Sequence, residues 1–183
     1  VHDTFDTSTP ELQRLPDGIY RGEDFCDPLK PGEALIPIRA SVTVAGDQVE
    51  VDLSGCADQV EGPVNSPIAS TYSAVFTFFV SMMSETAPVN DGSYRPVTIQ
   101  TRKGSICDPI YPAAVRSRMS TCYRIFSALR AAFAEKVPDR IAACGHEATT
   151  SVAFSRKTPG RYQVYHEVLA GGLGASMHGP GCD

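Results

Sequence analysis

The residues best equipped for chemistry lie in HEVLAGGLGASMHGPG, positions 166–181. Two of the chain's four histidines, His166 and His178, share this stretch with the carboxylate Glu167 and with glycines 171, 172, 174, 179 and 181. Imidazole and carboxylate together suit a borderline divalent ion. Alone, Glu167 could orient a water or take its proton. Consecutive glycines admit backbone dihedrals closed to other residues and expose amide N–H groups to an anion or a close neighbour, which makes Gly171, Gly172 and Gly174 candidates for holding phosphate or an oxyanion.

Each reading meets a constraint. A dinucleotide fingerprint needs G-x-G-x-x-G, and Met177 stands where the third glycine should be. A phosphate-binding P-loop needs a Lys after its glycines, and the last lysine is Lys157. Metal ligation by His166, Glu167 and His178 runs against the pleat, because neighbours in a strand point to opposite faces. A tight turn between packed elements is the plainer role for the glycine run.

Other constellations are weaker. Asp24 and Asp27 flank Cys26, where a strand runs into a turn, and are expected to be solvated. Arg116, Arg118, Arg124 and Arg130 fall on one side of a loop and helix and are expected to form a solvated face. Cysteines 26, 56, 107, 122, 144 and 182 are widely spaced with no C-x-x-C pair, which fits reduced thiols better than a zinc site or a disulfide framework. Cys122, inside a helical apolar pattern, should behave as a small buried hydrophobe.

These residues need elements to position them. Pro16 and Asp17-Gly18 make a turn ahead of a first strand, IYRGEDF. Ile36, Ile38, Ala40, Val42 and Val44 then alternate with Pro37, Arg39, Ser41 and Thr43, and after Gly46-Asp47 the alternation resumes at Val49, Val51 and Leu53. That pattern predicts a hairpin. Asn65 or Ser66 should cap a helix opening at Pro67, with Ile68, Tyr72, Val75, Phe76, Phe79 and Met83 inward. VNDGSYRPVTIQ reads as turn and strand, and the prolines of KGSICDPIYPAAV exclude regular structure there. A second helix is predicted over 120–136, with Ile125, Phe126, Leu129, Ala132 and Phe133 inward. ATTSVAFS and RYQVYHEVL close the chain as two strands joined by a Pro-Gly turn. The order predicts an α+β fold, a mostly antiparallel sheet with two main helices packed on one face. Residues 1–14 read as a linker or arm and 15–183 as a single domain.

Bulk properties narrow the classes. At 183 residues with 42% hydrophobic content, the chain can bury one core. A net charge of −5 argues against a nucleic-acid partner. The first residues have neither a basic start nor an apolar core, so no signal peptide is expected, and no stretch suits a bilayer. A cytoplasmic location is the expectation.

Five segments, LPDGIYRGEDF, VDLSGCADQVEGPVNSP, VNDGSYRPVTI, GSICDPIYPAAV and YHEVLAGGLGA, occur in an order and spacing that resemble the hydantoinase B/5-oxoprolinase family, which includes N-methylhydantoinase B-type subunits and the large subunits of acetone and acetophenone carboxylases. The resemblance runs from Leu15 onward. Glu167, Gly171, Gly172, Gly174 and Ala175 match a Glu-x-x-Gly-Gly-Gly-x-Gly-Ala signature, with Ala170 where its first glycine often stands. Family chains are much longer, so the resemblance implies the middle portion of a subunit, inactive alone, that works in a hetero-oligomer with a hydantoinase A-type ATP-binding subunit.

The implied substrate is a small cyclic amide, a hydantoin, 5-oxoproline or other lactam, or else a ketone to be carboxylated. ATP and a divalent metal are implied for the complete assembly, with none bound by this chain alone. The A-type partner would phosphorylate the amide oxygen, since resonance makes an unstrained lactam a poor electrophile, and metal-activated water would then attack. Glu167 would orient or deprotonate that water, and the glycine amides would hold phosphate or oxyanion. A third possibility is a scaffold that supplies an interface and no catalytic group. A cleft with convergent polar groups around Glu167 would favour catalysis, and a broad apolar surface would favour the scaffold.

Overall fold

A computed structural model describes residues 14–83, 91–148, 150–169 and 171–182. The expected arm therefore lies outside the described residues, apart from Arg14. Four strands form the main sheet in the order β1 (Gly18–Cys26), β2 (Ile36–Ala45), β3 (Gln48–Asp52) and β4 (Val97–Gln100). The first three are antiparallel, and β4 joins β3 in parallel after the chain has passed through α1 (Ile68–Ser81) and a short α2 (Asp91–Tyr94). The α+β class holds, with pairing mostly antiparallel.

One face of this sheet is apolar because the period-two alternation puts Ile38, Ala40, Val42, Val44, Val49 and Val51 on the same side, all buried. Across them lies α3 (Met119–Phe133). Gly22 makes this close packing possible: a Cβ there would fall less than 3 Å from the Ala128 carbonyl oxygen and the Ala132 nitrogen. Tyr20 stacks on Phe133 at 4.5 Å between ring centroids, and Phe133 also meets Phe78 and Phe79 of α1. The helices thus share one side of the sheet, α3 directly on β1 and β2, and α1 against α3.

Tertiary packing shifts two local expectations. Neither Asn65 nor Ser66 caps α1; its N-cap is Pro67, with no side-chain bond. Asn65, fully buried, instead donates to the carbonyls of Val60, Gly62 and Ala114 and accepts from the Val60 N–H, closing its own 60–65 turn and tying it to the loop at 114. The buried residues of α1 are Thr71, Ala74, Val75, Phe78 and Phe79, so its inner face is rotated and Tyr72 is exposed. The irregular 103–115 loop is no surface loop at its centre: Ile106, Cys107 and Asp108 are buried, with Asp108 held by Thr101 and Lys103.

The last two strands stand apart. Among the described residues β5 (Thr150–Thr158) and β6 (Arg161–Leu169) pair only with each other, and most of their residues are exposed. Among the described residues no helix is long and apolar enough to cross a membrane.

Candidate functional site

Glu167 sits near the end of β6, directly opposite Val152. Residues paired across an antiparallel ladder share a face, so Val152, Phe154, Tyr165, Glu167 and Leu169 lie on one side and Ala153, Val164, His166 and Val168 on the other. Glu167 is solvent-exposed and accepts a hydrogen bond from the Tyr165 hydroxyl. That bond pushes the Tyr165 phenol above its ordinary value. Among the described residues the carboxylate's neighbours form an exposed, largely apolar hairpin face.

The glycine run has a different geometry from the one its composition suggests. Neither Gly171 nor Gly174 adopts a left-handed φ. At Gly171 and Gly174 the requirement is the absence of a Cβ. At Gly171 a side chain would collide with the His146 side chain, and at Gly174 with the Ala143 carbonyl. Gly145 has the reciprocal constraint, against the Gly172 carbonyl oxygen. The two segments lie backbone to backbone, tied by Ala143 N–H to Ala175 O at 2.7 Å and His146 N–H to Gly172 O at 2.8 Å. Among the described residues the N–H groups of Gly171, Gly172 and Gly174 meet no acceptor.

The buttressed segment carries a carboxylate that local spacing did not reveal. Glu147 accepts from Ser127 and from the Arg130 guanidinium, both on α3, while its carbonyl oxygen accepts from Arg124 at 2.8 Å. Arg124 also pairs with Asp24 of β1 at 3.0 Å, and Arg130 lies over the Phe126 ring. The expected solvated face is therefore corrected at two positions: Arg124 and Arg130 are partly buried ion-pair partners, their acids 100 and 17 residues distant in sequence. Asp24 likewise is paired rather than free in solvent. Arg118, His146 and Glu147 line a cavity of about 520 Å³ between α1 and α3, with Ala74, Tyr123 and Phe126 as apolar wall. Gly171 touches this site through His146; Glu167 does not line it.

The metal reading does not fit the described residues. His166 and Glu167 project to opposite faces, and a His178 ring nitrogen lies 2.9 Å from the Asp139 carbonyl oxygen. Among the described residues no group of three or more His, Cys, Asp or Glu side chains could hold an ion. All six cysteines are free thiols, four of them buried. Burial pushes the Cys26 and Cys122 thiols up. The Cys56–Cys107 hydrogen bond lowers Cys56 and holds Cys107 well above its ordinary value.

Comparison with known proteins agrees with the segment pattern. Residues 5–183 match the family described as Hydantoinase B/oxoprolinase. The chain is 31% identical over 183 aligned positions to a protein of Pseudomonas sp. (strain NS671) named for the B-type subunit of a D-/L-hydantoinase, covering 94% of this chain and 31% of that protein. Two solved structures share the fold. ATP-dependent caprolactamase from Pseudomonas jessenii gives a TM-score of 0.72 at 24% identity, over 88% of this chain and 28% of its own. Nucleotide-free acetone carboxylase gives 0.76 at 15% identity, over 97% and 26%. The chain spans less than a third of each.

Proposed function

Because the chain belongs to the Hydantoinase B/oxoprolinase family, we propose that it is a portion of a larger subunit in an ATP-dependent cyclic-amide hydrolase. The sequence likeness to a hydantoinase subunit carries this reading. In the complete assembly, an A-type partner uses ATP to phosphorylate the amide oxygen; water adds to the activated ring carbon, the adduct collapses with cleavage of the C–N bond and protonation of the nitrogen to an open-chain acyl phosphate, and a second water releases inorganic phosphate and the carboxylate. Glu167 takes the proton of the attacking water, and the Gly171, Gly172 and Gly174 amides hold the departing phosphate or the oxyanion. Two features support these roles: among the described residues the carboxylate is bound only by Tyr165, with no salt bridge, and the glycine N–H groups are unspent.

The test is Glu167→Gln in the complete assembly, supplied with ATP and a hydantoin, 5-oxoproline or caprolactam, reading ring-opened product and ADP separately. Continued ADP formation with product formation down at least about a hundredfold supports the role in water attack. Unchanged turnover removes Glu167 from the mechanism. A ketone with bicarbonate in place of the amide tests the carboxylase alternative, for which likeness of fold is the support. The scaffold alternative has an observation in its favour, the apolar hairpin face on which Glu167 stands. It predicts that Glu167→Gln leaves turnover intact while hairpin substitutions disrupt assembly.

A further inference from the structure

The β5–β6 hairpin exposes apolar side chains on both faces. On one side are Phe154, Tyr165 and Leu169, and on the other Tyr162, Val164 and Val168, each between 41% and 65% exposed. A hairpin lying on the surface of a finished domain keeps a polar face toward water; apolar residues on both faces are the mark of a strand pair covered from both sides. A two-stranded sheet is also marginal by itself. Yet the root of this hairpin is firmly seated, through the backbone ties between 143–146 and 172–175 and through the grip of Glu147 on α3. Its tip carries Arg156, Lys157 and Arg161, exposed and with no ion-pair partner among the described residues. Against the single carboxylate Glu167 these three cations give the hairpin a net charge of +2, on a chain whose total is −5.

We propose that β5–β6 is an insertion hairpin that joins this domain to the rest of its own subunit: its outer part enters between two apolar layers of polypeptide outside these 183 residues, with carboxylates of that polypeptide around the tip, while Glu167, at the root beside the glycine run, stays at the margin of the covered area and open to the site. The inference rests on reading the chain as part of a family-length subunit, of which the matched hydantoinase subunit has more than two thirds left over to build such layers. A second copy of this chain is the poorer occupant. Stacking two hairpins covers one face of each, leaves the other bare, and in a parallel arrangement brings the tip cations of both copies together. Covering both faces requires material on both sides, and the cations require acids near the turn.

Hydrogen exchange on the complete subunit, followed over 150–169, tests this. Amides of the hairpin should exchange at least about a hundredfold more slowly in the complete subunit alone than in the 183-residue chain, independent of roughly tenfold dilution and of added A-type partner. Protection that appears only with the partner, protection that falls on dilution, or no protection at all would each overturn the proposal. Because Val164→Asp could stop the subunit folding, the triple reversal R156E/K157E/R161E is the second arm: hairpin protection should fall about tenfold while 119–133 is unchanged. Equal protection with and without the reversal would remove the acidic rim. Amide turnover on the same preparation keeps the functional reading separate, since its loss leaves the exchange result standing.

Discussion

Strands β2 and β6 both carry apolar residues at alternate positions, β2 on one face and β6 on both, and they meet opposite fates. In IPIRASVTVA the alternate residues Ile36, Ile38, Ala40, Val42 and Val44 are at most 8% exposed, while in RYQVYHEVL the apolar residues remain 41–65% exposed. Apolar content alone does not explain the difference. α3 lies over β2, and Gly22 of the neighbouring β1 lets its backbone come close. Nothing among the described residues lies over β6 to a comparable degree. Alternation therefore specifies a strand and its two faces, while burial depends on what else the polypeptide supplies.

This contrast can be broken most directly by truncation. Phe133→Ala removes the ring that Tyr20, Phe78 and Phe79 enclose, and should cost about 3–5 kcal/mol by urea denaturation. Val164→Ala on the hairpin should change the stability of the 183-residue chain by no more than about 0.5 kcal/mol. Comparable losses at the two positions would mean that the hairpin is already covered. Gly22→Ala is the next largest, about 2 kcal/mol, since the added methyl meets α3 backbone rather than a movable side chain.

The root of the hairpin sharpens the comparison. Glu147→Gln weakens a partly buried pair with Arg130 and a bond from Ser127, and should cost about 1.5 kcal/mol. The effect should be local, with faster exchange at 143–147 and little change in β1–β3. Loss of the whole sheet's protection would show that the clasp is part of the core.

Which of these features could be read from residues alone follows from their range. Both main helices, all three strands of the antiparallel sheet and the final hairpin are local patterns of period 3.6 or 2, and they are found within a few residues of where spacing puts them. The opposed faces of His166 and Glu167 were equally legible, because the pleat dictates them. The Arg130–Glu147 clasp was not, since nothing in the 17-residue separation of its members signals that the chain turns back onto α3. The glycine run was legible as a special backbone but not in its reason, because close approach to 143–146 is a property of two segments. Asn65 suits a helix cap by type, yet three carbonyls of the surrounding loops claim its side chain, and no local rule announces them.

Alkaline pH should separate the regions more gently. Cys26 and Cys122 have raised thiols in the folded core, so the folded state holds their protons more tightly than the unfolded chain does. Their contribution is complete below the ordinary thiol range, about 8.5, and is lost as pH rises through the higher folded values. The urea midpoint should therefore fall between about pH 8 and about pH 10, and Cys122→Ala should flatten that slope. An unchanged slope would mean that the thiol is solvated.

The smallest effect belongs to Tyr165, and it reports on the hairpin without unfolding anything. Its neutral hydroxyl donates to Glu167, and losing the proton would both break that bond and set two anions side by side, so the phenol is raised. The sign follows: any contribution is present below the ordinary tyrosine value, about 10, and disappears as pH rises through the raised one. In the 183-residue chain, ultraviolet titration of Glu167→Gln should show one of the seven tyrosines ionising at lower pH than in the parent. In the complete subunit, covering the hairpin adds desolvation to the same phenol and should move it further up, beyond its position in the isolated chain. Identical titration of Tyr165 in both contexts would mean that β6 stays open to water wherever it is found, and the contrast with β2 would then be intrinsic to the strand.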